Sequence, residues 1–343
     1  MKALVLEDYS KLVVKEVEKP VIGADEALIR VKAASICGSD VHGFDGSSGR
    51  RVPPVIMGHE AAGVIEEIGS EVEGYSVGDR VVFNSTLYCG QCMPCKLGKQ
   101  NLCVSKKVFG VSAPEFRLDG AFAEYVKVPA HILYHLPETI PFDQAALIEP
   151  MAIALHGIGR VKIGLNDTAV IFGAGTIGMM TLKLLAISSA GTIIMVDIDD
   201  EKLESAMENG ADHTVNSKEG DVKKKVWELT GGKGGDLVFE CVGIPPTMVG
   251  AIDCLKSGGT AVLQGNLTKS IEMPMQQVVL RELSILGSAL CCMEYDEAID
   301  LLESGMVNVD DMISHRCALE EGPEMFDRLY NHPEGMKKVV FLF

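Results

Sequence analysis

The chain has 343 residues, with 48 acidic and 31 basic side chains, a formal charge of −17. A surface that acidic repels a phosphate backbone, which argues against nucleic acid as a partner. Hydrophobic residues make up 47% and charged residues 23% of the chain, the balance of a folded globular protein long enough for two cores, so two domains are expected.

The chain opens Met1-Lys2-Ala3-Leu4-Val5-Leu6-Glu7-Asp8, with an acidic pair where a secretory leader would continue its apolar segment. No apolar run reaches the roughly 18 residues of a membrane span. A cytoplasmic protein without a membrane partner is expected, and its ten cysteines should be reduced. Over residues 1–150, short β-branched runs at 27–31, 62–68 and 80–83 alternate with Gly, Pro and Asp turns, which predicts a β-rich domain.

That region holds most of the candidate chemistry. Cys37 is followed closely by Ser39 and His42, which could pass a proton outward, and then by Arg50-Arg51. For the two arginines a solvated charged turn is favoured. The alternative is an anion grip, since guanidinium forks bind phosphate and carboxylate. Gly58-His59-Glu60 adds an imidazole and a carboxylate, and Glu149 before Pro150 is a further carboxylate. With the Cys37 thiolate these make the mixed ligand set of a catalytic zinc that keeps an exchangeable position. Ser39, His42 and Glu60 are the candidate catalytic residues, and direct ligation by Glu60 or by Glu149 stays open.

Cys89, Cys92, Cys95 and Cys103 crowd into a polar, turn-rich stretch with Gly90, Pro94 and Gly98. Four thiolates on so short a loop can close tetrahedrally on a second zinc, and such a closed site is structural. Cys241, Cys254, Cys291, Cys292 and Cys317 are scattered and read as small buried hydrophobes.

From residue 151 to 287 the character changes. Apolar runs at 168–172, 192–196, 236–240, 260–263 and 283–286 alternate with helical stretches, the pattern of a parallel sheet covered by helices on both faces. Gly173-Ala174-Gly175-Thr176-Ile177-Gly178 follows the first run and opens a helix over 176–188. Gly173 suits the tight turn, Gly175 the approach of a pyrophosphate, and Gly178 close packing of helix on strand. Asp197 ends the second run, where a carboxylate accepts from ribose hydroxyls and repels a 2′-phosphate, so NAD is expected over NADP. Lys202 would soften that preference. The cofactor contacts expected are Gly173, Gly175, Thr176, Ile177, Gly178, Asp197, Lys202 and Val242. Residues 288–343 carry a helix at 294–302 and a strand at 339–343, and are expected to fold back onto the first domain.

Several of these runs occur together in a known order. Cys37-Gly38-Ser39-Asp40-Val41-His42, Gly58-His59-Glu60, the four cysteines, Gly120-Ala121-Phe122-Ala123-Glu124-Tyr125-Val126 and the glycine loop resemble the zinc-dependent medium-chain dehydrogenases over essentially the whole chain. Ile148-Glu149-Pro150 and the Gly-Ser-Asp-Val-His run are similar to the polyol (sorbitol-type) and threonine dehydrogenase branch. The resemblance implies an α/β protein with a GroES-like catalytic domain and a Rossmann NAD domain. It further implies one catalytic and one structural zinc, and a homo-oligomer, either dimer or tetramer. The activity it implies is hydride transfer between NAD and a secondary alcohol of a small polyol or sugar-type substrate, free or phosphorylated. A threonine-type amino-acid dehydrogenase is the alternative, and a non-catalytic zinc protein a more distant one. Gly43 stands where sorbitol dehydrogenases carry tyrosine, and residues 288–290 lack their arginine, so sorbitol itself is in doubt.

Overall fold

The computed structural model describes residues 1–113 and 116–343. Leucine and valine at the start of the chain pair as an antiparallel hairpin, β1 (Lys2–Asp8) with β2 (Lys11–Glu16), and Ser10 turns it in the left-handed region at φ 58°. Strand β3 (Glu26–Ser35) leads into helix α1 (Gly38–Phe44). The chain continues through β4 (Val55–Ile56), β5 (Glu60–Ile68) and β6 (Arg80–Phe83). Strands β7 (Thr86–Leu87) and β8 (Lys107–Val108) pair and bracket the four-cysteine lobe with its short helix α2 (Met93–Lys96). Strands β9 (Tyr125–Pro129) and β10 (Leu133–His135) and helix α3 (Phe142–Ala145) follow.

A long apolar helix, α4 (Ile148–Ile158), precedes the alternating region. There β11 (Thr168–Phe172), α5 (Thr176–Ala186), β12 (Thr192–Asp197), α6 (Asp200–Glu208), β13 (His213–Asn216) and α7 (Val222–Leu229) succeed one another. They are followed by β14 (Gly235–Glu240), α8 (Pro245–Cys254), β15 (Leu255–Leu263), α9 (Met275–Leu280) and β16 (Ser284–Gly287). The tail adds α10 (Tyr295–Glu303), β17 (Ile313–Ala318), α11 (Gly322–Asn331) and β18 (Lys338–Leu342).

The chain divides into two compact units, Met1–Glu149 with Tyr295–Phe343, and Pro150–Glu294. In the first, a seven-stranded sheet runs β10-β6-β5-β3-β18-β17, with β9 also on β3. The tail therefore closes this unit, because β18 pairs antiparallel with β3 from Val340↔Ser35 to Leu342↔Ala33. Its core holds Phe122 edge-on to Phe326 and Phe341, with ring centroids 6.0 and 5.2 Å apart. Each such ring contributes roughly 1.5–3 kcal/mol by leaving water.

The second unit is a parallel six-stranded sheet ordered β13-β12-β11-β14-β15-β16. Central β11 buries Ala169, Val170, Ile171 and Phe172 almost completely, as a strand covered on both faces must. The order reverses between β11 and β14, and a crevice at the carboxyl ends of such strands is where doubly wound folds bind ligands. The sheet has one strand more than the apolar runs announce. β13 is an edge strand that buries only Val215 of its four residues, so it carries no apolar run. The second boundary also falls after Glu294 rather than after residue 287. His156 Nδ1 lies 2.6 Å from Glu294 Oε1, and the Cys292 amide donates to Oε2 of the same carboxylate, which keeps the segment after β16 with this unit. Cys254, Cys291 and Cys292 are buried, but Cys241 and Cys317 are only half-buried. No helix among the described residues is long and apolar enough to cross a membrane.

Candidate metal centre and cofactor loop

Strand register assembles the first cluster. β3 and β5 run antiparallel with Ser35 opposite Glu60, so the chain leaving β3 at Cys37 passes beside the chain entering β5 at His59. Gly58 makes that entry possible. It sits at φ +94°, and a Cβ there would lie 2.5 Å from the Phe122 ring. Cys37, His59 and Glu60 each offer a donor atom within 4.8 Å of the others, a spacing one small cation can span.

The charges around the cluster also fit a cation. His59 is buried, and its Nδ1 faces Asp40 Oδ1 at 3.6 Å without a hydrogen-bond partner among the described residues. That leaves Nε2 as the ring nitrogen for a metal. Burial disfavours the charged imidazole, yet Asp40, Cys37 and Glu149 together outweigh it and raise its pKa to about 10. The negative groups that favour the charged imidazole would equally favour a cation held beside it.

Glu60 and Glu149 differ in surroundings. Glu60 accepts from Ser35 Oγ and from Lys338 Nζ, and both Glu60 and Lys338 are 1% exposed. Glu149 lies outside the three-residue group. Its Oε1 accepts from Ser85 Oγ at 2.7 Å, and burial, reinforced by the charge of Glu60, pushes its pKa up to about 7. Sequence reading gave Asp40 no role beyond its place in the Cys37-to-His42 run, and it passed over Ser35, Ser85 and Lys338, isolated polar residues at or near apolar runs.

Ser39 and His42 stand three residues apart on α1, the spacing that sets two side chains on one helix face. Ser39 is half-buried and His42 exposed. The arginines that follow separate. Arg50 is exposed, but Arg51 is neither a solvated turn nor an anion grip: it is 2% exposed, and its Nη2 donates to Asp40 Oδ1 at 2.8 Å and to Ser39 Oγ at 3.3 Å. The carboxylate buried beneath α1 takes the charge that a solvent anion would otherwise have met.

In the lobe between β7 and β8 all four sulfurs lie within 4.8 Å of one another. Cys92 and Cys95 sulfurs are 3.4 Å apart, and those of Cys89 and Cys103 are 3.6 Å apart. Four sulfurs bound to zinc at about 2.3 Å stand about 3.8 Å from one another, so the lobe is nearly set for the ion. Amide donors from Gln91 and Cys92 lower the Cys89 pKa to about 6, which favours the thiolate that a metal needs.

In the second unit Gly173 turns at φ +97°, and a Cβ on Gly178 would lie 1.7 Å from Gly173 O. A Cβ on Gly175, by contrast, would meet nothing within 4 Å, so the helix start is open to a ligand. Thr176, Ile177 and Gly178 form the first turn of α5, whose amides have no intrahelical partner. Asp197 ends β12 and accepts from the amides of Ala174 at 2.6 Å, Ile198 at 2.7 Å and Asp199 at 3.1 Å. Lys202 turns toward Asp199, with its Nζ 3.8 Å from Oδ2. Val242 packs over the Gly173 turn, where a Cβ would lie 2.5 Å from its Cγ2. Sequence reading missed Glu240, the buried last residue of β14. Its Oε1 accepts from the amides of Val242 and Gly243 and from Thr247 Oγ1, which pins the turn carrying Val242.

Comparison with known proteins bears on both units. Residues 23–138 match the alcohol dehydrogenase GroES-like domain, and residues 176–304 match the zinc-binding dehydrogenase domain. The chain is 34% identical to the D-xylulose reductase of Saccharomyces cerevisiae, over 99% of this chain and 97% of that protein. It is 32% identical to the sorbitol dehydrogenase of Bacillus subtilis, over 99% and 96% respectively. A zinc-binding dehydrogenase from Sinorhizobium meliloti, solved bound to NADP, is 34% identical and aligns with a TM-score of 0.91 over 100% of this chain and 99% of its own.

Proposed function

The chain belongs to the zinc-dependent medium-chain alcohol dehydrogenase family, and from that membership we propose that it oxidises a secondary alcohol of a polyol or sugar-type substrate, free or phosphorylated, with NAD as hydride acceptor. The observation that carries the reading is the convergence of Cys37, His59 and Glu60. Thiolate, imidazole and carboxylate would hold one zinc with a position left for substrate, and Glu149 is the reserve carboxylate. The four cysteines of the lobe would hold a second zinc with no position left, in a structural role.

Zinc held by Cys37, His59 and a carboxylate would supply Lewis acidity toward the substrate oxygen. The hydroxyl proton would leave through Ser39, two residues beyond Cys37, then a cofactor ribose hydroxyl, and then exposed His42 on the same helix face. The glycine loop and the amides at the start of α5 would hold the cofactor pyrophosphate, and Asp197 the adenosine ribose. Val242 would line the same crevice, with Lys202 at its edge. The reading includes a homo-oligomer, dimer or tetramer, in the cytoplasm, where the ten free thiols stay reduced.

D-xylulose reductase and sorbitol dehydrogenase are named for polyol and sugar chemistry, and neither name supports the threonine-type alternative. NADH formation by zinc-loaded protein over free polyols, their phosphates, sugar acids and amino acids is the test. Turnover of a polyol class is expected. Threonine as the best substrate would replace the reading, and no turnover of any member would remove it.

A further inference from the structure

We infer that Arg51 is a positioning residue of the metal centre: its buried guanidinium ties the relay serine, Ser39, to the carboxylate behind His59, and Gly43 makes room for it. The inference rests on the catalytic reading of the Cys37, His59 and Glu60 cluster.

One nitrogen makes both contacts. Arg51 Nη2 donates to Asp40 Oδ1 at 2.8 Å and to Ser39 Oγ at 3.3 Å. Oδ1 is also the oxygen that faces His59 Nδ1 at 3.6 Å. The second carboxylate oxygen, Oδ2, accepts from the Cys37 amide at 3.3 Å. Asp40 is therefore clamped between the backbone of one candidate metal ligand and Arg51, while it faces the ring of another. A carboxylate opposite the second nitrogen of a metal-bound histidine fixes the ring's orientation and tautomer, and loss of such a partner typically costs 10–100-fold in metal affinity or activity.

The contact with Ser39 acts on the proton. Arg has donors and no acceptor, so Ser39 Oγ must accept from it. The serine's own hydroxyl hydrogen is thereby turned away from Arg51. When Ser39 receives the substrate's proton and releases its own toward the cofactor ribose hydroxyl that leads to His42, its oxygen keeps one fixed donor throughout. Arg51 thus orients the relay and the metal ligand with a single cation.

The seat is built for this side chain. A Cβ on Gly43 would lie 2.8 Å from Arg51 Cγ and 3.1 Å from Cδ, so the arginine stem crosses bare backbone of α1. Any larger residue at 43 would displace it. Arg51 Nε is buried with no hydrogen-bond partner among the described residues, so the seat leaves one donor unmet while it satisfies the two contacts of Nη2.

The test compares wild type, Arg51→Met, Arg51→Lys, Ser39→Ala and the Arg51→Met/Ser39→Ala pair, each scored for folding and for zinc in the four-cysteine lobe. The first readout is the rate at which the mixed site yields zinc to a chelator, which needs no turnover. For Arg51→Met we expect loss about 10–100-fold faster, a comparable fall in kcat per bound zinc, and an unchanged KM for NAD. Arg51→Lys keeps the charge but ends one bond short of the Nη2 position, so it should face Asp40 without reaching Ser39, retaining zinc within a few-fold of wild type while kcat falls about tenfold. Ser39→Ala should cost less in the Arg51→Met background than alone, because the pair shares one interaction. Added guanidinium should restore part of the Arg51→Met rate. Wild-type zinc loss and kcat in Arg51→Met, with only the melting temperature lowered, would reduce Arg51 to a loop anchor and overturn the inference. If Arg51→Met fails to fold, wild-type behaviour of Arg51→Lys in both readouts overturns it equally. A wild type that oxidises no alcohol would sink the proposed function, and zinc loss would still decide the role of Arg51.

Discussion

Lys338 reaches across the central strand of the catalytic sheet to donate to Glu60, and neither side chain is more than 1% exposed. The lysine comes from β18 and the glutamate from β5, with β3 between them. Ser35 of β3 donates to the same carboxylate oxygen, and Lys338 also donates to Ile36 O at 2.9 Å. The tail of the chain thus completes the electrostatics of a cluster whose Cys37, His59 and Glu60 lie within the first 60 residues.

Removal of one partner from such a pair leaves a buried charge uncompensated, at a cost of about 3–5 kcal/mol. Lys338→Met should destabilise the zinc-free protein by about that much, and the zinc-loaded protein by less, since a metal cation beside Glu60 replaces the lost charge. Denaturant unfolding of both forms measures the two losses. Equal losses would mean that Glu60 does not face the metal.

Lys338 also shows where sequence reading ends. The apolar runs at 168–172 and 80–83 coincide with strands, because burial on both faces writes itself as continuous hydrophobicity. The glycine loop, the four cysteines and Gly58-His59-Glu60 were legible because backbone turn and ligand chemistry restrict residue type at each position. Lys337-Lys338 and Arg50-Arg51 both look like solvated charge. In each pair one member is exposed and the other nearly inaccessible. What separates them is a partner 278 residues away for Lys338 and 11 away for Arg51, which no local pattern carries. Polar β13 escaped for the converse reason: an edge strand has little to bury.

Gly58 permits a second test of how the site is held. Alanine there would take on the left-handed backbone at φ +94° and push its Cβ into the Phe122 ring. Strain of about 1–2 kcal/mol adds to overpacking of about 1–3 kcal/mol. Gly58→Ala should therefore lower stability by about 2–5 kcal/mol and reduce zinc content at the mixed site, since His59 is the next residue. Full zinc occupancy with wild-type melting would show that the turn relaxes without moving His59.

Two zinc ions with separable roles predict two kinds of variant. Cys37→Ala or His59→Ala should abolish turnover and remove one zinc while the melting temperature changes little. Cys92→Ala or Cys95→Ala should instead lower the melting temperature sharply, because a structural zinc contributes folding free energy directly. Metal analysis beside calorimetry separates the two. A single zinc in fully active protein would contradict the assignment.

The expected preference for NAD over NADP rests on Asp197, at the end of β12. Three backbone amides hold its carboxylate, from Ala174, Ile198 and Asp199, so it cannot swing aside to admit a phosphate. A carboxylate has about four acceptor sites, and three donors leave capacity for a ribose hydroxyl. A hydrogen bond to a charged group contributes about 1.5–3 kcal/mol, and 1.4 kcal/mol corresponds to tenfold. NADP would forfeit that bond and add like-charge repulsion, so kcat/KM should favour NAD by more than tenfold. Lys202 offers little relief, since its ammonium already turns toward Asp199. Asp197→Asn keeps an oxygen for the amides but removes the charge. It should lower kcat/KM for NAD by about tenfold and raise that for NADP, narrowing the ratio from both sides. Parallel initial-rate measurements with the two cofactors on wild type and variant decide it, and comparable wild-type values would mean that Asp197 does not meet the ribose.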